Sequence, residues 1–449
     1  MDEGDTYRNY SRRDVLKFGG LGALGLAGAA AIPNLARGSK SSPAKPAAAS
    51  ATAALQAATR YDIHLAATDG HILLPGRGSP SGPGGEDPVF VMGFVRVPVG
   101  ATPNQLDVNK GIVQVTAPII GVDQESDVYV TLTNLGFVVR PDLDDAHTIH
   151  WHGFPNATAI FDGVPEVSIA VPVGRSFPFY YKPHREGTFM YHCHFEDVEH
   201  VQMGMTGIVY VRPAQNGTPL GGYTKFAYND GDGSTGYTRE FALLLNEVWT
   251  TPHDNLEAIQ ETVWPDYDPN YWVINGRSYP DTLLPNNDSD LPAQPLSSLI
   301  QVNEGERVLL RMANLGFEQQ AMRLPGIRLE VVGEDAALLR GPGGADLSYS
   351  TNTIYIGPGE ARDVLFTAPD FSDTIPFETD TNNDNARYNV YWLKNRDLHR
   401  LTNDSLAGLG GQVTQVWVYE GTSLGGQTHP NQTYPESAPT APYDNPWIV

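Results

Sequence analysis

Val122-Asp-Gln-Glu-Ser-Asp-Val-Tyr-Val-Thr-Leu-Thr-Asn-Leu-Gly-Phe137 returns as Val302-Asn-Glu-Gly-Glu-Arg-Val-Leu-Leu-Arg-Met-Ala-Asn-Leu-Gly-Phe317, at a constant offset of 180 residues. Both stretches hold a short apolar run bounded by polar residues, and both close on Asn-Leu-Gly-Phe. Such runs, bounded by turn residues, read as strands. The likeness continues outward. Val171-Pro-Val-Gly-Arg resembles Ile356-Gly-Pro-Gly-Glu, and Ile208-Val-Tyr-Val resembles Gln415-Val-Trp-Val. Similar short runs recur from Tyr61 onward, separated by Gly, Pro, Asn and Asp, with little sustained helical period. The expected fold is all-β: two consecutive β-sandwiches at residues 60–213 and 239–422. Residues 214–238, rich in Gly, Asn, Thr and Asp, read as a linker, and 423–449 as an extended polar tail. Asp230-Gly-Asp232-Gly within the linker lacks the distal carboxylate of a calcium loop and reads as a solvated turn.

Composition narrows the function. The chain has 449 residues, a formal net charge of -23, 46 Gly, 35 Pro and one Cys. The acidic balance argues against nucleic-acid binding, which needs clustered Lys and Arg. One thiol excludes an intrachain disulfide and a Cys-rich zinc site. At the N-terminus, Ser11-Arg12-Arg13-Asp14-Val15-Leu16-Lys17 precedes a bland apolar run, Phe18 to Ile32, too short for a stable membrane span. Residues 1–40 therefore read as an export signal of twin-arginine type, and 41–59 as a Ser/Ala/Pro-rich linker. Without residues 1–40 the chain keeps 23 basic and 48 acidic residues. Outside the cytoplasm, in the periplasm or beyond the cell, an unpaired thiol is a liability unless a metal holds it.

Two windows hold that thiol and six of the twelve histidines: His147-Thr-Ile-His150-Trp-His152-Gly153, and Tyr191-His192-Cys193-His194 followed by His200, Met203 and Met205. Side chains two apart on a strand share a face. His147 and Cys193 thus point inward, joined from the following loop by His200 and Met205. Two imidazoles, a thiolate and a thioether make the ligand set of a blue electron-transfer copper, and the thioether disfavours zinc. His150, His152, His192 and His194 form an all-imidazole set suited to one or two further coppers.

These motifs resemble those of the multicopper oxidases, the laccase-like enzymes built of cupredoxin domains. The resemblance covers most of residues 60–422 and implies cupredoxin-like Greek-key sandwiches. It implies a type 1 copper on His147, Cys193, His200 and Met205, and places His150, His152, His192 and His194 in the type 2/type 3 oxygen-reducing cluster. Asp162 resembles the family's acidic residue that hydrogen-bonds near the type 2 copper and helps supply protons; it also reads as a turn Asp before Gly163. The implied reaction is one-electron oxidation of an external donor at the type 1 copper. The electron leaves through Cys193 to the adjacent histidine-ligated centre and on to dioxygen.

The chain departs from the family where a complete cluster needs eight histidines. Gln320-Ala-Met-Arg323-Leu-Pro325-Gly326 aligns with His147 to Gly153, and Tyr388-Asn389-Val390-Tyr391 with Tyr191 to His194, so the second copy has no copper ligands. Three readings stay open: an oxidase completed by another subunit, hence a homo-oligomer; a nitrite-reductase-like two-copper enzyme; and a blue copper carrier with an incomplete second site. The donor (a phenol, another small molecule, a metal ion or a redox protein) is not encoded in a motif. Glu196, Asp197 and Glu199 read either as solvated groups or as a patch that attracts a cationic or protonatable donor. His64, His71, His184, His253, His399 and His429 read as surface groups.

Overall fold

The computed structural model describes residues 59–77, 87–155, 157–404, 406–439 and 447–448. The export signal expected at 1–40, and the linker at 41–59 apart from Thr59, lie outside the described residues.

The first copy is a sandwich of two sheets. One has the order β2-β1-β4-β6 and the other β24-β3-β8-β7-β5. Their strands are β1 (Arg60–Ile72), β2 (Val89–Arg96), β3 (Ile119–Asp123), β4 (Asp127–Asn134), β5 (His150–His152), β6 (Ser176–Tyr181), β7 (Gly187–His192) and β8 (Thr206–Arg212). After a two-stranded sheet, β9 (Lys225–Phe226) and β10 (Gly236–Tyr237), the second copy supplies β11 (Arg239–Val248), β12 (Tyr271–Ile274), β13 (Ile300–Asn303), β14 (Arg307–Asn314), β15 (Gln320–Arg323), β16 (Leu329–Glu334), β17 (Ala337–Leu338), β18 (Tyr349–Thr351), β19 (Thr353–Ile356), β20 (Ala361–Thr367), β21 (Phe377–Asp380), β22 (Ala386–Asn395) and β23 (Val413–Tyr419). The chain is all-β with few helical turns. Its tail comes back to the first copy, where β24 (Trp447–Ile448) adds in parallel to β3.

The repeat in the sequence has a physical meaning. β1 pairs in parallel with β4 as β11 does with β14, and each central strand ends on the Asn of Asn-Leu-Gly-Phe. Asn134 Oδ1 accepts from Gly136 N, while its Nδ2 donates to Asp145 O and Val171 O. Asn314 does the same with Gly316 N, Glu318 O and Ile356 O. A buried carboxylate on the neighbouring strand holds the loop beyond each of these turns. Asp69 accepts from the backbone N–H groups of Val138, Val139 and Arg140, and Glu247 from those of Phe317 and Glu318. Each loop is thereby fixed without water, as buried polar backbone requires.

The first core gathers Phe90, Val130, Trp151, Phe179, Tyr191, Cys193 and Met205. Trp151 stacks on Tyr181 at 4.1 Å, and the Tyr181 hydroxyl donates to Ile149 O. That pair locks β5 with Trp151 inward, so His150 and His152 must face out. On β7 and β8 the outward face is buried. Met190, Ile208 and Tyr210 pack on Ala242, Leu244, Ala313 and Leu315 of the second copy. Beside this contact lies a buried ionic network in which Arg311 meets Glu240 at 3.0 Å and Thr188 at 3.2 Å, and Thr188 donates to Asp363.

Residues 214–238 are more than a spacer. Ala227, Tyr228 and Tyr237 are buried with Leu309, Val332 and Leu365, and the Tyr228 hydroxyl reaches Asp363 at 2.5 Å. Asp230 accepts from Thr235 and Gly233, closing a hydrogen-bonded turn. Two histidines expected at the surface are buried instead. His64 lies on the central strand β1 between Pro98 O and Thr133 Oγ1, and His253 is held by Phe90 O at 2.5 Å. Both have the hydrogen-bond partners that let a neutral imidazole stay dry, and burial lowers His253 to about 4. His429 is half-buried, stacked on Trp447 at 3.8 Å. His399 and His184 are exposed, and His71 is partly so, paired with Glu257.

Candidate metal centres

The strand faces sort the ligand candidates into two groups. Inward of β5 and β7, the donor atoms of His147, Cys193 and His200 lie within 4.8 Å of one another, and all three residues are buried. Cys193 Sγ stands 3.3 Å from His200 Nδ1 and 3.9 Å from His147 Nδ1. His147 arrives just before β5, bridged to Val171, while His200 comes from the short helix Asp197–Gln202. Met205 is buried in the same core, and its carbonyl accepts from Cys193 N at 3.2 Å. Met203, the other thioether of the same window, is buried too, and its carbonyl accepts from Met92 N.

Charge in this pocket is unbalanced. Burial pushes His147 well below the usual imidazole range. Burial also presses His200 down, but its contacts with Cys193 and Asp145 outweigh it and hold His200 up at about 10. His147 Nε2, His200 Nε2 and Asp145 Oδ2 are buried without a hydrogen-bond partner, and Asp145 Oδ2 is 3.8 Å from His200 Nε2. A dry pocket with a sulfur donor and converging Nδ1 atoms calls for a soft cation, and the residues fit copper.

The second group faces the other way, at the margin of the contact between the copies. Donor atoms of His150, His152 and His192 lie within 4.8 Å of one another. His152 Nδ1 and His192 Nε2 are 3.3 Å apart, and β5 pairs His150 directly with His192. Burial lowers all three, His192 to about 3, so the imidazoles are neutral and keep a lone pair for a metal at neutral pH. His194 packs its ring 5.1 Å from that of His150 but falls outside the converging trio, with its Nδ1 3.9 Å from Asp197 Oδ2. Asp162 sits at the trio's edge. Its carbonyl accepts a hydrogen bond from His150 Nδ1 at 2.6 Å, and its carboxylate is 3.7 Å from the same nitrogen.

In the second copy the strand register replaces the sequence alignment of residues 388–391 with another. Val171 pairs with His147 as Ile356 pairs with Gln320, so Gln320 stands where His147 does. Arg323 then pairs with Lys394 as His150 pairs with His192. The strand end equivalent to Cys193 is therefore Asn395, five residues beyond Val390, because β22 runs on through a longer hairpin. Backbone bonds agree: Asn395 N donates to Gln412 O as Cys193 N does to Met205 O, and Gln412 N to Arg400 O as Met205 N does to His200 O. All four pocket ligands are thus replaced, by Gln320, Asn395, Arg400 and Gln412. These side chains bond to one another, Asn395 Nδ2 to Gln320 Oε1 and Gln412 Oε1, and Arg400 Nη1 to Gln320 Oε1. The outward imidazoles are replaced by Arg323, Pro325, Lys394 and Arg396.

Sequence reasoning did not point to Asp145, or to Asp335 and Gly359 of the second copy. Gly359 lies against His152, where an added Cβ would come within 2.7 Å of Nε2, and the charge of Asp335 acts on the same ring, favouring its protonated form against burial. Asp145 had a local signal, an acidic residue two positions before His147; the other two reach the site only through tertiary packing.

Residues 103–216 and 239–394 each match a family model described as multicopper oxidase. Among curated proteins, the chain is 28% identical over 225 residues to Laccase-5 of Arabidopsis thaliana and 27% identical over 227 residues to Laccase-3 of Oryza sativa subsp. japonica. Each match covers 49% of this chain, and the chain spans about a third of those relatives' length (33% and 34%). Of solved structures, it resembles a blue copper oxidase from Nitrosomonas europaea, with a TM-score of 0.56 and 23% identity over 80% of this chain and 85% of that one. It also resembles a copper nitrite reductase from Nitrosomonas europaea, with a TM-score of 0.50 and 16% identity over 80% and 94%. These structures share the fold of two cupredoxin-like sandwiches. Among the described residues, no helix is long and apolar enough to cross a membrane.

Proposed function

Because this chain belongs to the multicopper oxidase family, whose cofactors are type 1, type 2 and type 3 copper, we propose that it is an exported copper oxidoreductase that takes single electrons from an outside donor and delivers them to dioxygen. The observation that carries the reading is the dry convergence of Cys193 Sγ with the Nδ1 atoms of His147 and His200. His147, Cys193, His200 and Met205 hold the first copper, which supplies one-electron redox chemistry. Cys193 is the covalent neighbour of both His192 and His194, so a single stretch of backbone joins the thiolate pocket to the imidazole pocket. Asp162 holds the His150 ring through its backbone carbonyl, and its carboxylate, 3.7 Å from the same ring, would serve as the proton donor of the site. Glu196, Asp197 and Glu199 give the His200 loop a negative face, which favours a cationic or protonatable donor. Export rests on the Arg12-Arg13 pattern at the N-terminus.

One observation favours a second reading, the nitrite-reductase-like enzyme: the trio His150, His152 and His192 is of a size for one ion. Oxygen uptake and nitrite loss, followed with the same reduced donor, separate the two. Oxygen uptake supports the oxidase, nitrite loss supports the reductase, and neither leaves an electron carrier. Blue absorption on copper reconstitution, abolished in Cys193→Ser, tests the pocket itself; a colourless reconstituted protein overturns the proposal.

A further inference from the structure

We propose that His150, His152 and His192 form a self-contained three-imidazole site for one copper ion within a single chain, with His194 outside the ligand set and no imidazole drawn from a second copy. The inference rests on the copper reading above, in its two-copper form and not that of an oxidase completed by another subunit, and departs from the eight-histidine cluster that the family relationship implies.

Three observations carry it. The first is the geometry of the free nitrogens. His152 Nδ1 and His192 Nε2 are 3.3 Å apart, the spacing of two nitrogens that each sit about 2.0 Å from one ion at a near-tetrahedral angle. The second is that two of the three rings, those of His150 and His192, have their other nitrogen held by a backbone carbonyl, while the third is closed over by a loop. His150 Nδ1 is turned to Asp162 O at 2.6 Å and His192 Nδ1 to Cys193 O at 2.7 Å. His152 Nε2 lies against the backbone of Gly359. The two carbonyl partners fix tautomer and orientation for His150 and His192 and leave the opposite nitrogen of each ring for an ion, with donor atoms of the three residues within 4.8 Å of one another. His194 has no comparable constraint and leans toward Asp197.

The third observation concerns where four more imidazoles would come from. The positions in the second sandwich equivalent to the outward histidines are Arg323, Pro325, Lys394 and Arg396, by the pairing of Arg323 with Lys394. Any copy that offered this face would bring three cations and no ligand, and like charge opposes a divalent ion. This chain's own second sandwich already covers His152 through Gly359, whose positive φ of 76° and missing side chain let the loop close on the ring.

The test is copper content per chain with electron paramagnetic resonance, on monomeric fractions of the full chain and three variants. The wild type should bind two coppers, one blue and one with a type 2 signal. His150→Ala should fall from two to one and stay blue, which shows that it is folded. His194→Ala should keep two. Cys193→Ser should keep one, with the type 2 signal alone. A single copper in the wild type, a resonance-silent coupled pair, zinc as the second ion, or loss of the second copper in His194→Ala or on dilution to monomers would overturn the inference. If the wild type lacks the blue signal while Cys193→Ser retains a type 2 copper, the proposed function fails and the three-imidazole site stands.

Discussion

The inner pockets of the two sandwiches share a backbone and differ in every side chain that could touch a metal. In the first, donor atoms of His147, Cys193 and His200 converge within 4.8 Å, Met205 is buried in the same core, and the far nitrogens of both imidazoles have no hydrogen-bond partner. In the second, Asn395, Gln320, Arg400 and Gln412 occupy the same four positions and satisfy one another. Buried polar atoms must be paired, so an amide cluster closes on itself where a ligand cluster stays open to an ion. The shared frame, Asn134 with Asp69 and Asn314 with Glu247, shows that the loop clamp belongs to the fold and the donors to the function.

The largest effect expected from this contrast is qualitative. Cys193→Ser should remove all blue absorption, whereas Asn395→Ser, at the matching position, should leave the spectrum unchanged; visible spectra of the two reconstituted variants decide it. Next comes pH. Burial raises the Glu247 carboxyl from its ordinary 4.5 to about 7. The folded state therefore keeps this proton after the unfolded chain has lost it, so its contribution to stability falls as pH rises from about 4.5 to about 7, by up to about 3 kcal/mol. Denaturant melts across that window should show the decline, and Glu247→Gln should flatten it.

The two clamps offer a matched pair of somewhat smaller effect. Asn134→Ala and Asn314→Ala each delete three hydrogen bonds to backbone groups and should each destabilise by about 2 kcal/mol. Only Asn134→Ala should also weaken copper retention, since the loop it anchors carries Asp145 and leads to His147; chelator competition beside thermal melts measures both. The smallest is Gly359→Ala. A methyl group at positive φ against His152 should cost about 1 kcal/mol and alter the resonance of the second copper while the blue signal stays as it was.

Legibility in the sequence tracked how local each feature was. The HXH and His-Cys-His windows told which side chains face together, because strand parity is fixed by the covalent chain; His147, Ile149 and Trp151 are all buried while His150 and His152 are not. Asn395 was missed in favour of Val390 because a hairpin of different length shifts the alignment without changing the hydrogen-bond register. His64 and His253 were misread because flanking Pro and charged residues say little about which face a third strand will cover.

By itself, then, the sequence determined the duplicated all-β architecture, the inward cysteine with its imidazole neighbours, and the replacement of the His147–His152 motif by Gln320–Pro325 in the second copy. Tertiary structure alone decided that three of the four outward histidines converge, that Gly359 closes on one of them, and which residues stand in for the lost pocket. The reason is distance along the chain: alternation acts between neighbours, whereas Gly359 meets His152 only after two sandwiches have buried their facing surfaces against each other.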